Sequence, residues 1–253
     1  MSEGSRTLKS GTTLFRVLES LRESDGASVT ELADRLGLAK STVHVHLSTL
    51  KAARYVVQEG DVYYVGLRFL GLSEYARTRK EAYRLAESLV VELAEETDER
   101  AQFIAEEHGK GIYLYRETGE RAVRTDSGVG KEILLHSTAA GKAILALFPD
   151  ERIHEIVDRW GLPARTSATI TDKKRLWTEI ETIRERGYAF NRGENIESLN
   201  AVGVPVKRSD GTVIGAFSVS APAHRLEGER LETQVPELLL GVTNELELKI
   251  AYS

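Results

Sequence analysis

Lys40-Ser-Thr-Val-His-Val-His-Leu-Ser-Thr-Leu50 is the stretch on which the reading of this chain turns. At about 100° per residue, Val43, Leu47 and Leu50 fall within about 60° of one another, the width of a core-facing stripe. Opposite them lie Ser41, Val45, Ser48 and Ala52, flanked by Thr42, His44 and Thr49. That outer face is small and polar, and Lys40 at its start is its only charge. Short hydroxyls and imidazoles approach base edges closely, so such a face suits a DNA major groove.

The neighbouring sequence supplies the rest of a helix-turn-helix. Upstream, Ser28-Val-Thr-Glu31 has the form of a capping box, and Leu32, Ala33 and Leu36 give the second helix a buried side that stops at Gly37. A first helix is marked by Leu14, Val17, Leu18 and Leu21 and is broken by Ser24-Asp-Gly26. Downstream, the β-rich segments 55–58 and 62–65 flank Glu59-Gly-Asp61, which predicts a hairpin. Helix-turn-helix spacing alone also fits an ordinary helical hairpin. The capping box, the hairpin and a stretch from Arg35 to Arg54 with four cations and no acid favour the DNA-reading motif. Residues 1–66 are therefore a winged domain. Ser41, Thr42, His44 and Val45 are the candidates for base edges, since N-terminal residues of the recognition helix make most such contacts, and Ser48 on the same outer face is a further candidate DNA contact. Lys40, Lys51 and Arg54 suit phosphates, which position without specifying. Ser28 and Thr30, opening the preceding helix, complete the candidate DNA-contacting set. Val45 is apolar and β-branched at the centre of the exposed face: it is either a single exposed valine or a contact for a thymine methyl.

Net charge does not contradict this. The chain carries −5 over 253 residues, yet residues 1–66 hold eight cations and eight acids. The excess of acid lies entirely beyond them, and DNA binding needs only a local basic surface. There is no cysteine, which removes disulfides and thiolate sites. The first residues lack a signal-peptide layout. The longest apolar run, 133–148, is broken by His136 and Lys142 and is too short to span a bilayer. A soluble, cytoplasmic protein without membrane contact is expected.

Residues 67–79 read as a linker helix with Leu67, Leu70, Gly71 and Tyr75 on one side. Residues 80–253 read as an α+β domain with one antiparallel sheet. A helix at 81–96 precedes strands near 100–107, 111–117 and 121–127. Helices follow at about 138–148, 150–160 and 172–186, then strands at 199–207 and 213–221 and a last helix from about 227. Asp210-Gly211 predicts a two-residue hairpin that pairs Ser209 with Thr212. In that register Val202 meets Val219 and Val204 meets Phe217 on a core face. Ala201 meets Ser220 and Gly203 meets Ser218 on the other, which is small and hydroxyl-bearing, as a ligand pocket requires. Pro205 makes its strand an edge or an irregularity there.

Arg16-Val-Leu-Glu19, Thr30-Glu-Leu-Ala33, Leu36-Gly-Leu, Lys40-Ser-Thr-Val-His44 and Leu50 together resemble the IclR family of regulators. So do His136-Ser-Thr-Ala-Ala-Gly-Lys-Ala143, Arg186-Gly-Tyr-Ala189, Glu194-Asn195, Val204-Pro-Val206 and Gly215-Ala-Phe-Ser-Val-Ser-Ala-Pro222, so the resemblance covers nearly the whole chain. It implies a winged helix-turn-helix, a linker helix and a GAF-like effector-binding domain for a small metabolite. It further implies homodimers or dimers of dimers on double-stranded operator DNA, acting as repressor or activator. Carried over by position, effector contacts fall on Ala139, Ala140, Asn191, Leu199, Ala201, Ser218 and Ser220. His136 and Glu194 join them as candidates, although a histidine bonded in a loop before a helix N-terminus is favoured over catalysis for His136, and ligand contact or orientation of the Asn191–Asn195 loop are equally open for Glu194. Three departures stand out: Val45 where many relatives have arginine, Asn191 where aspartate is common, and Ala201 where cysteine is common. An amide donates as well as accepts, and alanine leaves room, so a bulkier or differently polar ligand than a two- or three-carbon keto acid is expected.

Two other functions, an enzyme and a protein-binding scaffold, stand as alternatives. An enzyme would need chemistry the sequence does not display: there is no GxxxxGK followed by Ser or Thr, no GxSxG, no HExxH and no qualifying GxGxxG. The six histidines form no metal-ligand pair, and neither a metal nor a cofactor is expected. A scaffold whose winged domain contacts only protein is the other alternative, and salt-dependent retardation of DNA separates the two.

Overall fold

The computed structural model describes residues 7–120 and 128–252. The chain divides into two units, residues 1–76 and 77–253. In the first, α1 (Lys9–Glu23) buries Val17, Leu18 and Leu21, and a turn through Asp25 and Gly26 leads to β1 (Ala27–Ser28). The capping box opens α2 (Val29–Leu36): Glu31 N–H donates to Ser28 Oγ at 3.3 Å, and Ser28 N–H donates to the Glu31 carboxylate at 2.8 Å. Gly37 ends α2 in the left-handed conformation that glycine adopts without strain. The recognition helix α3 (Lys40–Ala52) buries Val43, Leu47 and Leu50, as its periodicity requires.

β2 (Val56–Glu59) and β3 (Val62–Val65) form the wing, and β1 adds to β3, giving the order β1-β3-β2. A two-residue strand carries no alternation, so β1 has no sequence signature. α4 (Phe69–Thr78) follows and buries none of its residues. Its start is rooted in the winged unit: Phe69 stacks on Tyr55 with centroids 4.8 Å apart, and Arg68 Nη1 donates to the Ala53 carbonyl at 2.6 Å.

The second unit begins with α5 (Glu81–Thr97), β4 (Arg100–Glu107), β5 (Lys110–Thr118) and β6 (Glu132–Leu134). A short 3-10 turn, Leu135–Ser137, leads into α6 (Ala139–Leu147), α7 (Asp150–Trp160) and α8 (Lys173–Arg186). β7 (Ala189–Arg192), β8 (Leu199–Lys207) and β9 (Val213–Pro222) precede α9 (Val235–Ala251). The strand expected at 121–127 lies outside the described residues. β6 and β7 are short and were not expected, and the last helix becomes regular only at Val235, after a π turn over Arg230–Gln234.

The sheet runs β6-β5-β4-β9-β8-β7 with every neighbour antiparallel. One face presents Ala101, Phe103, Val202, Val204, Phe217 and Val219 to α5 and α9. The other presents Ile104, Tyr113 and Ala216 to α6, α7 and α8. α6 is buried from Ala139 to Ala146, which is why its sequence is apolar at every position but Lys142.

The β8–β9 hairpin keeps the expected register from Leu199↔Pro222 to Val206↔Gly215, but its turn differs. Arg208 N–H donates to Thr212 O, closing three residues rather than two, with Gly211 at φ 85°. Between Val206 and Lys207 the register then shifts, leaving Ile214 as the extra residue. Three-residue loops and bulges commonly go together, and here the bulge returns the strands to the register that a two-residue turn would have set. Pro205 lies beyond the span that β7 pairs, so β8 is a free edge at that point.

Candidate functional site

Two surfaces carry chemistry. On the first unit, Lys40, Ser41, Thr42, His44, Val45 and Ser48 are all exposed along α3, and Val45 is 62% exposed. The buried stripe leaves them no other place. Ser48 Oγ lies 3.5 Å from His44 Nδ1, and two further members of the expected set are engaged elsewhere. Ser28 caps α2 with its hydroxyl, and Lys51 Nζ donates to Gln58 Oε1 at 2.7 Å, tying α3 to the wing. Thr30 and Arg54 are exposed.

On the second unit, cross-strand register builds the floor of a small cavity of about 40 Å³. Residues paired across antiparallel strands share a face. One row is Arg100, Ser220, Ala201 and Asn191; the next is Gln102, Ser218, Gly203 and Ala189. The first turn of α6 lies directly over Gly203: a Cβ there would fall 2.5 Å from Ala140 N. Ala139 and Ala140 therefore border the cavity with the positive end of a helix. Ile104, Ile133, Ile196 and Leu199 supply apolar wall.

Seven of the nine expected effector positions line this cavity: Ala139, Ala140, Asn191, Leu199, Ala201, Ser218 and Ser220. His136 and Glu194 do not. The His136 ring donates from Nε2 to Pro163 O at 3.2 Å, and the Glu194 carboxylate binds Lys142 Nζ at 2.6 and 2.8 Å. Asn191 lines the cavity but its amide is engaged at both ends, donating to Ser137 O and accepting from Glu194 N–H.

Of the nine lining residues outside the expected set, four are Arg100, Tyr113, Gln102 and Asn195. Arg100, 6% exposed, donates from Nε to Ser220 Oγ at 2.9 Å, and burial lowers the pKa of its guanidinium. Burial likewise raises the Tyr113 phenol, against the opposing charge of Arg100 and Arg116. Gln102 and Asn195 complete the set. Alternation along β4 was a usable signal for Arg100 and Gln102, once β4 is known to pair with β9.

Burial lowers the pKa of His136; the Pro163 bond opposes this and the Lys142 charge adds to it. A ring kept neutral in the fold but free to protonate near 6.5 when unfolded makes the unfolded state the better proton binder below that pH. Stability is therefore lost as pH falls below about 6.5. The fall in melting temperature from pH 7 to 5 should be smaller for His136→Asn than for the parent; equal falls would remove this account.

A winged helix-turn-helix unit and a separate unit with a cavity between sheet and helix define a ligand-responsive transcriptional regulator. Residues 14–60 match the IclR helix-turn-helix domain, and residues 76–244 match the domain described as bacterial transcriptional regulator IclR C-terminal. The chain belongs to the IclR family. It is 31% identical over 249 residues to a probable HTH-type transcriptional regulator ArcR of Halobacterium salinarum, covering 97% of this chain and 95% of that one. The crystal structure of the Thermotoga maritima IclR superposes with a TM-score of 0.80 at 26% identity, covering 97% of this chain and all (100%) of that one. An IclR homologue from Microbacterium hydrocarbonoxydans, solved with 4-hydroxybenzoate, shares the fold with a TM-score of 0.77 at 21% identity, over 95% and 100% of the two chains. Among the described residues no helix is long and apolar enough to cross a membrane, and no cluster of three or more His, Asp or Glu is placed to hold a metal.

Proposed function

We propose that this regulator acts by binding rather than turnover, as a homodimer on a pseudo-palindromic operator, and that an organic anion entering the second unit alters its grip on DNA. The carrying observation is Arg100: a buried guanidinium on the cavity floor, beside the Ser220 hydroxyl and across from the N-terminal turn of α6. A guanidinium on a cavity floor suits a carboxylate, which accepts charge-assisted hydrogen bonds from it. Dimerisation is supported by large apolar side chains left in solvent: Phe15 on α1, 66% exposed, and Leu70, Leu72 and Tyr75 on α4. α4, which joins the two units along the chain, is the candidate transmitter. The anion shifts operator affinity only if it binds one arrangement of the domains better than another.

Gel retardation with fragments of the source genome tests the reading. Two chains per operator, one retarded region and a steep fall of affinity with salt are expected. Operator affinity that is identical with and without every bound carboxylate would reject the anion switch. Base reading follows from the same experiment. Val45 packs on a thymine methyl, so Val45→Ser should lower preference at one A·T pair per half-site by about 1 kcal/mol or more, leaving the salt slope unchanged. Unaltered preference at every operator position would place Val45 outside the base-reading set.

A further inference from the structure

Gln102 is the cavity residue that an anion alone leaves unexplained. It stands two positions from Arg100 on β4, is 4% exposed, lines the cavity, and its Oε1 has no hydrogen-bond partner among the described residues. Buried amide oxygens are nearly always paired, because an unpaired one forfeits its hydration without compensation. Asn191, on the same floor, shows the normal case, with both ends satisfied by the protein. Gln102 Nε2 reaches only long contacts, 3.5 Å to Ser218 Oγ and 3.5 Å to Ser220 Oγ. The amide is held in the cavity by its neighbours and offers an acceptor to whatever enters.

We infer that Gln102 reads a hydroxyl on the effector, close to the effector's anionic group, so that the ligand class is a carboxylate hydroxylated on the first or second carbon from the carboxyl. This rests on the anion reading above. The spacing comes from Ser220. Its Oγ is 2.9 Å from Arg100 Nε and 3.5 Å from Gln102 Nε2, so guanidinium and amide cannot lie farther apart than those two legs end to end. One end of a small ligand touches both. A hydroxyl suits the amide in either of its two orientations, since it donates and accepts alike. A distal hydroxyl would be carried away from Gln102, toward the apolar side chains of Ile104, Ile196 and Leu199.

Calorimetry on the full-length protein with hexanoate, 2-, 3- and 6-hydroxyhexanoate, and with the rigid pair 2- and 4-hydroxybenzoate beside benzoate, tests this. In at least one series a proximal hydroxyl should tighten binding about tenfold over both the parent acid and the distal isomer. Gln102→Leu, with Gln102→Met as a second variant, should erase that difference without weakening the unsubstituted acid. Arg100→Met should weaken all of the acids. Equal binding of every acid to the parent protein, with the loss on Arg100→Met intact, overturns the hydroxyl reading and leaves the anion reading standing. So does a preference that survives both Gln102 variants, or one for the distal isomers. Failure of every acid to bind, or binding indifferent to Arg100→Met, overturns both.

Discussion

Lys142→Met is expected to cost about 3–5 kcal/mol of stability in the second unit, the range for removing one partner of a buried ion pair. The Lys142 side chain is 1% exposed, and its Nζ lies 2.6 Å from one Glu194 oxygen and 3.5 Å from a Glu179 oxygen. Methionine fills most of the volume but leaves the Glu194 carboxylate without its cation, in a site where its own side chain is 10% exposed. Glu179 retains Arg186 at 3.0 Å, so the deficit falls on Glu194. The surrounding bonds oppose simple relaxation. Glu194 O accepts from Thr169 Oγ1 at 2.6 Å and from Thr166 Oγ1 at 3.2 Å, and Glu194 N–H donates to Asn191. The melting temperature should fall by on the order of 10 °C. Adding Glu194→Gln to Lys142→Met removes the orphaned charge and should recover part of the loss, whereas Glu194→Gln alone should destabilise. A loss below about 1 kcal/mol, or strictly additive effects in the double variant, would show that the pair is not coupled in this way. Effector affinity should fall as well, because Asn195 and Ile196, next along the chain, line the cavity.

That ion pair also marks what the sequence could not disclose. Glu194 stands in the Asn191–Asn195 loop, where the sequence leaves ligand contact and loop orientation equally open. Its side chain turns instead to a lysine 52 residues away. Local readings fared better. The stripe of Val43, Leu47 and Leu50 needs only helix periodicity, and Ser28 with Glu31 needs only capping geometry, so the buried and exposed faces of α3 and the start of α2 were legible almost residue by residue. The β8–β9 register was legible for the same reason, even though the turn closes three residues and Ile214 bulges to compensate. Non-local pairing was hidden. Arg100 and Gln102 reach the cavity because β4 lies beside β9, a contact spanning 120 residues between Arg100 and Ser220. Tyr113 was hidden by a second bulge. Ile104 pairs with Tyr113 while Phe103 pairs with Tyr115, leaving Leu114 extra. Tyr113 and Tyr115 consequently face opposite cores, although strict alternation would put them together.

Gly203→Ala is expected to abolish effector binding while leaving operator binding intact. The added Cβ would lie 2.5 Å from Ala140 N, 2.6 Å from Ala139 C and 2.8 Å from Ala139 O. These are backbone atoms, so no side-chain rotation relieves the overlap. β8 cannot yield easily either, since Gly203 pairs with Ser218 on one side and Ala189 on the other. The first turn of α6 must move. That turn is fixed by Thr138, whose Oγ1 accepts from Gly141 N–H at 3.1 Å, and by the burial of every residue from Ala139 to Ala146. Overpacking of this kind costs about 1–3 kcal/mol, less than the loss at Lys142. The functional effect is larger, because the displaced residues, Ala139 and Ala140, border the cavity beside the Arg100–Ser220 row. Carboxylate affinity should drop by more than tenfold, and operator retardation should become insensitive to the acid that binds the parent protein best. Gly241→Ala on α9 provides the control. No atom lies within 4 Å of its Cβ position, and alanine in a helix interior gains about 0.5–1 kcal/mol over glycine, so that variant should be no less stable than the parent and should respond normally. Parent-like carboxylate affinity in Gly203→Ala would mean that the α6 turn yields without disturbing the ligand, and that the effector does not depend on the junction of α6 with β8.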